Sequence, residues 1–180
     1  MKCCICRLTL LLLVVVCLSC ASSPKGRPLN CPRKADAIQL VLRGDPQLHF
    51  SNNVPHTVFI CIYQLKDPNA FNLRTKYSEG LYELLDCSSF DSSVTDLERI
   101  IVYPDKDVPV TMDRAEGTNY IALAAGYNNM EKDRIIRIHE IPIDEKTKIL
   151  TPWKKYYVCR DLNLEISLGP EQIETIEDLK

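Results

Sequence analysis

Nine cysteines and three histidines are the residues best suited to chemistry in this chain of 180 residues. His49 and His56 stand seven apart across a loop, with no carboxylate cluster beside them, so no metal site is expected. His56 and Cys61 lie five apart on one apolar stretch. In a strand that spacing puts them on opposite faces, which argues against a thiol–imidazole nucleophile pair. His139 and Glu140 are likewise on opposite faces of a strand. Asp105 and Asp107 flank Lys106 beside Pro104, a solvated turn and not paired catalytic carboxylates. No G-x-S-x-G, H-E-x-x-H or phosphate-cradling glycine run occurs, and six glycines are few for a cofactor loop. The residue types point away from an enzyme, and no cofactor is expected.

The cysteines speak of export instead. Lys2 and Arg7 form a basic start, and Leu8 to Leu18 is apolar apart from Thr9 and Cys17. That run has the length of a signal core and falls short of the roughly 20 residues that span a bilayer. Ser19 then precedes Cys20. A small residue before a cysteine at this point marks a bacterial lipoprotein signal, because the cysteine thiolate becomes a diacylglyceryl thioether and cleavage precedes it. Residues 1–19 are therefore expected to be a signal peptide and Cys20 the lipid attachment site. Plain secretion with cleavage after Ala21, an uncleaved anchor and a palmitoylated start are the alternatives. Ala21, where an aspartate would favour inner-membrane retention, favours the outer membrane. Residues 20–30 (CASSPKGRPLN) read as a tether.

From Cys20 onward there are 161 residues, enough for one domain with a real core. Without Lys2 and Arg7 there are 20 basic against 24 acidic residues. No basic patch stands out, so nucleic acid is an unsuitable partner. Trp153-Lys154-Lys155-Tyr156-Tyr157 reads as the start of a strand with its lysines outward, against a nucleic-acid or membrane patch. Four cysteines remain in the domain: Cys31, Cys61, Cys87 and Cys159. In an exported chain they suggest two disulfides out of three possible pairings. Cys31–Cys159 with Cys61–Cys87 is favoured, since it ties the domain's start to a late strand and a strand to the end of the next helix. Four buried free thiols are the alternative.

Strands are expected at Ile38–Arg43, His56–Leu65, Arg99–Tyr103, Val108–Met112, Tyr120–Tyr127, Arg134–Ile141, Tyr156–Arg160 and Leu164–Leu168. Thr57 to Leu65 is apolar at almost every residue, so both its faces need cover. From Phe71 to Cys87, Leu73, Tyr77, Leu81, Leu84 and Leu85 define one helical face. A β-sandwich with one inserted helix follows: the opposite sheet covers one face of the second strand, and the helix, begun by Phe71, folds over the other. The domain is expected over residues 31–170, with 171–180 an acidic tail.

The order of these pieces resembles the type VI secretion outer-membrane lipoprotein family, the TssJ (SciN-like) component. The motifs are Cys20 and a short tether, IQLVLR, the loop GDPQLHFSNNVP, VFICIYQL with its aromatic-Gln-Leu ending, Phe71, and YELL. IIVYPDKD, NYIALAAGY and DRIIRIHEI complete the series, which covers about Ile38 to Ile143. The chain departs from the family at His49, usually asparagine, and at Asn128, usually arginine. The resemblance implies a transthyretin-like fold of two antiparallel sheets plus a helix. It implies no catalysis, a place on the periplasmic face of the outer membrane, and binding to the periplasmic domain of a large inner-membrane partner, TssM. The contact loop maps to Gly44–Pro55, with Asp45, Gln47, His49, Phe50, Asn52 and Asn53 as candidate partner-binding residues. A carrier of small ligands or carbohydrates on a similar sandwich is the competing reading.

Overall fold

The computed structural model describes residues 30–148 and 151–179. The expected signal peptide, Cys20 and the expected tether up to Leu29 lie outside the described residues. The elements in chain order are β1 (Lys34–Gly44), β2 (Val58–Leu65), α1 (Asn69–Arg74), α2 (Ser78–Leu85), β3 (Val94–Val102), β4 (Asp107–Arg114) and β5 (Tyr120–Ala125). Then come α3 (Lys132–Ile135), β6 (Ile136–Glu140), β7 (Ile143–Lys148), β8 (Thr151–Cys159), β9 (Leu162–Leu168) and β10 (Ile173–Asp178). One sheet has the order β10-β9-β1-β4 and the other β3-β2-β5-β6; β7 and β8 form a two-stranded sheet of their own. All pairings are antiparallel except β1 with β9, which is parallel.

The alternation of β1 and β9 explains the core. Ile38, Leu40 and Leu42 point inward with Leu162, Leu164, Ile166 and Leu168, all almost fully buried. Each such side chain contributes about 1.5–3 kcal/mol on burial. The facing sheet supplies Val58, Ile60 and Ile62 of β2, with Ile121 and Leu123 of β5. The other face of β2 carries Cys61 and Tyr63, and here the helices close over it. Cys61 is bonded to Cys87, the Tyr63 hydroxyl donates to the Leu84 carbonyl at 2.7 Å, and the Tyr63 ring meets Phe71 edge-on at 5.6 Å. Ala122 and Ala124 of β5 lie beside Tyr63 and Cys61, and their small side chains leave room for the helical layer. Seven of the eight residues of β2 are buried. A strand covered on both sides needs no polar alternation, which is why this one has so little.

The helical segment departs from the single helix its spacing predicts. It is two short helices broken at Thr75–Tyr77. Leu81 and Leu84 are buried, but Leu73 and Tyr77 are more than half exposed. The break resets the helical phase, so a face drawn through all five positions fails before Ser78. Gly80 serves this break: a Cβ there would collide with the Arg74 carbonyl oxygen. The acidic tail is a second departure. Ile173–Asp178 pairs along β9 as an edge strand, with Ile173 fully buried. Its two isoleucines, Ile173 and Ile176, are the residues that meet the sheet, and acidic Glu174, Glu177 and Asp178 guard the edge.

Tyr63 offers a test of the helical cover. Burial pushes its phenol up to about 12, above the unfolded value of about 10. The fold therefore prefers the protonated phenol. Its contribution to stability is complete below pH ~10 and is lost as pH rises from there through ~12. Tyr63→Phe leaves the buried Leu84 carbonyl unpaired and is expected to cost about 1–2 kcal/mol at neutral pH. It should also flatten the loss of stability above pH ~10. Denaturant melts of the two proteins across that range check it, and parallel pH profiles would contradict it.

Candidate functional site

The loop between β1 and β2 is built on one pole of the sandwich. Asp45 starts it with a turn: its side-chain Oδ1 accepts from the Gln47 N–H at 2.6 Å, and its carbonyl accepts from the Leu48 N–H at 2.9 Å. Leu48 then plugs the end of the core and is fully buried. The chain is next tied to the segment after β9: His49 N–H donates to the Gly169 carbonyl at 3.3 Å and Phe50 N–H to the Pro170 carbonyl at 2.9 Å. A small reciprocal bridge, Ser51 with Val54, folds the tip back. His56 returns the chain by donating its N–H to the Leu48 carbonyl at 2.9 Å.

His49, Asn52 and Asn53 all take the left-handed backbone conformation, with φ of 48°, 52° and 62°. Asparagine and histidine tolerate that region better than most residues, so the SNN run is what allows so tight a tip. The loop is thus long in sequence but pinned at both shoulders.

The six candidate contact residues separate on this scaffold. Gln47, Phe50, Asn52 and Asn53 are exposed, whereas Asp45 and His49 are half-buried. Asp45 is used to shape the turn. The His49 ring packs edge-on against Tyr127 at 5.6 Å and lies 5.9 Å from His56, and its Nδ1 lies 3.2 Å from the Thr57 carbonyl. Tyr127 is itself buried, and its hydroxyl lies 3.1 Å and 3.0 Å from the Gly169 and Gln172 carbonyls. Burial raises its phenol well above the ordinary range. A cavity of about 160 Å³ sits between His49, Phe50, Tyr127 and Pro170. Among the described residues no group of three or more His, Cys, Asp or Glu could hold a metal ion, and no helix is long and apolar enough to cross a membrane.

The structure adds residues that the loop sequence does not reveal. Val54, at 47% exposed, is a second exposed apolar residue of the tip, with Phe50 at 40%. The β3–β4 turn joins the same pole: Asp105 N–H donates to the Asp45 carbonyl at 3.3 Å, Gly44 N–H donates to the Lys106 carbonyl at 2.9 Å, and Tyr103 is half exposed. Their signal was present in IIVYPDKD, but only the fold shows that this turn adjoins the loop. Cys31, at the foot of β1, marks the opposite pole. β1 is bulged between Lys34 and Ile38, so Lys34 to Arg43 spans only the seven steps from Arg114 to Asp107 of β4, about 24 Å at the usual rise per residue.

The fold is that of a small β-sandwich with a structured loop at the pole opposite Cys31. The sequence model of the family described as "Type VI secretion lipoprotein, VasD, EvfM, TssJ" matches residues 36–169, and the chain belongs to that family. No curated protein sequence matches it significantly. Solved structures do. The type VI lipoprotein TssJ1 from Pseudomonas aeruginosa is 16% identical, with a TM-score of 0.60 over 83% of this chain and 99% of that one. Serratia marcescens Lip, described as a membrane-bound component of the type VI secretion system, is 18% identical with a TM-score of 0.53 over 83% and 98%. A chain in the structure described as the type VI TssM C-terminal domain from EAEC is 16% identical with a TM-score of 0.56 over 79% and 98%. At these identities the likeness concerns the fold.

Proposed function

We propose that this lipoprotein is held by a lipid on Cys20 at the periplasmic face of the outer membrane, and that its β1–β2 loop binds the periplasmic domain of a TssM-like inner-membrane protein. Its work is structural: it joins the outer membrane to an envelope-spanning secretion complex and carries out no reaction. The observation that supports this best is polarity. The tether enters at Cys31, and the loop that offers Phe50 and Val54 lies at the far end of β1. A lipid at one pole leaves the other facing the periplasm.

The pinned shoulders of the loop also favour a protein interface, because a preorganised tip loses little conformational freedom on binding. Exposed Phe50, with exposed Gln47, Asn52 and Asn53 on the same loop, has the character of an aromatic anchor among polar residues. At the loop itself a small ligand is the weaker occupant, since the cavity beside His49, about 160 Å³, falls below the roughly 300–1,000 Å³ of small-molecule sites.

The test is co-purification from detergent-solubilised native membranes through a C-terminal tag. Wild type is expected to recover a large TssM-like protein. Deleting Asp45–Asn53 would also remove buried Leu48, so point changes are cleaner. Phe50→Ala with Val54→Ala should weaken recovery by at least tenfold, equal to a hot-spot loss of about 1.4 kcal/mol or more, while melting as wild type does. Full recovery by that variant would move the interface off the loop. No TssM-like protein from wild type would overturn the functional reading.

A further inference from the structure

We propose that strand β10 is a clasp for the β1–β2 loop: docked on β9, it holds the turn that seats the loop, and on unpairing it frees the loop; this rests on the reading of that loop as the partner-binding surface. Gly169-Pro170-Glu171-Gln172 makes the turn between β9 and β10, closed by the Gly169 N–H donating to the Gln172 carbonyl at 2.9 Å. Its carbonyls take the loop's amides. The His49 N–H donates to Gly169 at 3.3 Å and the Phe50 N–H to Pro170 at 2.9 Å, while the Asp45 N–H donates to Leu168, the last residue of β9, at 2.9 Å. The loop's internal bonds, Leu48 to Asp45, Ser51 with Val54 and His56 to Leu48, shape its turns. The β9–β10 turn is what fixes the backbone of His49 and Phe50 to the sandwich.

Side chains from the end of the facing sheet hold that turn. Tyr127 follows β5, and its hydroxyl reaches the Gly169 and Gln172 carbonyls while its ring meets His49. Arg134 of α3 pairs with Glu171 at 2.8 Å. Arg137 of β6 donates to the carbonyl of Ile173, the first residue of β10. β6 and β10 are edge strands of the two different sheets, so Arg137 ties the sandwich shut along that side. The contact loop, the turn and β10 are thereby one mechanical unit.

The clasp is lightly fastened. β10 has six residues and pairs with β9 alone. Its apolar hold is Ile173, fully buried, and Ile176, partly buried. A bulge after Ile173 lets both face the core despite their spacing of three. Glu177 stands directly opposite Glu165, and facing like charges destabilise a ladder. Arg43, paired with Glu165 at 2.8 Å, offsets part of that. An edge strand with so few apolar contacts opens before the sheets do. Each opening withdraws the support under the Gly169 and Pro170 carbonyls, and with it the seat of the loop. The loop is therefore preorganised only while β10 is docked.

Amide hydrogen exchange, read residue by residue on the full-length lipoprotein in detergent, tests the coupling without any partner. His49 and Phe50 should exchange at the rate of β10 and faster than β2. Arg137→Gln gives up a charged hydrogen bond to β10. It should speed β10, His49 and Phe50 together by about tenfold or more and leave β2 unchanged. Glu177→Gln removes the facing like charge and should slow the same amides roughly two- to fivefold; a protein that is merely damaged cannot gain protection. Loop amides that keep wild-type rates while β10 changes would overturn the clasp, and so would β10 rates that ignore both substitutions. Binding follows the docked fraction. Arg137→Gln combined with Ile176→Ser should therefore lower recovery of the TssM-like protein by the factor that exchange reports for release of β10. Recovery that falls with Phe50→Ala and Val54→Ala but ignores the combined variant would also overturn the clasp. Recovery that ignores both would instead overturn the loop as the partner surface, with the coupled exchange still standing.

Discussion

Gln64→Leu is expected to cost about 3–5 kcal/mol, although leucine is apolar and nearly the same size. Gln64 is fully buried at the end of β2, on the face that meets the other sheet. Its Nε2 donates to the Asp113 carbonyl at 2.7 Å, and its Oε1 accepts from the Ala115 N–H at 2.9 Å and from the Thr118 hydroxyl at 3.0 Å. Thr118 also shares a 2.8 Å hydrogen bond with Thr95, whose hydroxyl lies 3.1 Å from the Gln64 carbonyl. One side chain thus joins the end of β4, the β4–β5 turn and β3. Leucine would fill the volume, so the loss is not a cavity. It is the Asp113 carbonyl and the Ala115 N–H left without their Gln64 partner, at about 1–3 kcal/mol each, with the Thr118 hydroxyl left to Thr95 alone, reduced by relaxation of the turn. For a domain of this size that corresponds to a melting point lower by roughly 10–15 °C. A shift below about 3 °C would mean that the turn finds water or other partners, and that Gln64 does not hold the sheets in register.

That network explains why the YQL ending of VFICIYQL is legible as a motif but opaque as chemistry. Tyr63 reaches the helices, Gln64 the opposite sheet and Leu65 the helical side again, so three consecutive residues serve two layers. The apolar run told of two-sided cover, and Phe71 told what begins one of the covers. Periodicity could not show the break at Thr75–Tyr77, because it depends on Gly80 meeting the Arg74 carbonyl and not on the spacing of leucines. Nor could it show β10, where Ile173 and Ile176 are the only apolar contributions of an otherwise acidic strand. The parallel pairing of β1 with β9 joins residues about 120 positions apart and has no local signal at all. At the candidate site the residue types were readable and their division of labour was not. Asp45 and His49 look like Gln47 and Phe50 in a list of loop residues, yet hydrogen bonds and the Tyr127 ring turn the first two inward.

Removing the Cys31–Cys159 bond should destabilise the domain more than removing Cys61–Cys87. The first bond closes a separation of 128 residues and the second one of 26. Constraint of the unfolded chain grows with the logarithm of loop length, giving about 5 kcal/mol and about 3.5 kcal/mol respectively. Local packing works against this order, since Cys61 is fully buried beneath α2 whereas Cys159 is partly exposed. The paired replacements Cys31→Ala with Cys159→Ala, and Cys61→Ala with Cys87→Ala, therefore set chain entropy against core packing. Denaturant unfolding of both variants, with the remaining bond verified by mass spectrometry under non-reducing conditions, decides between them. A larger loss from the Cys61 variant would place the stabilisation in the cover of β2.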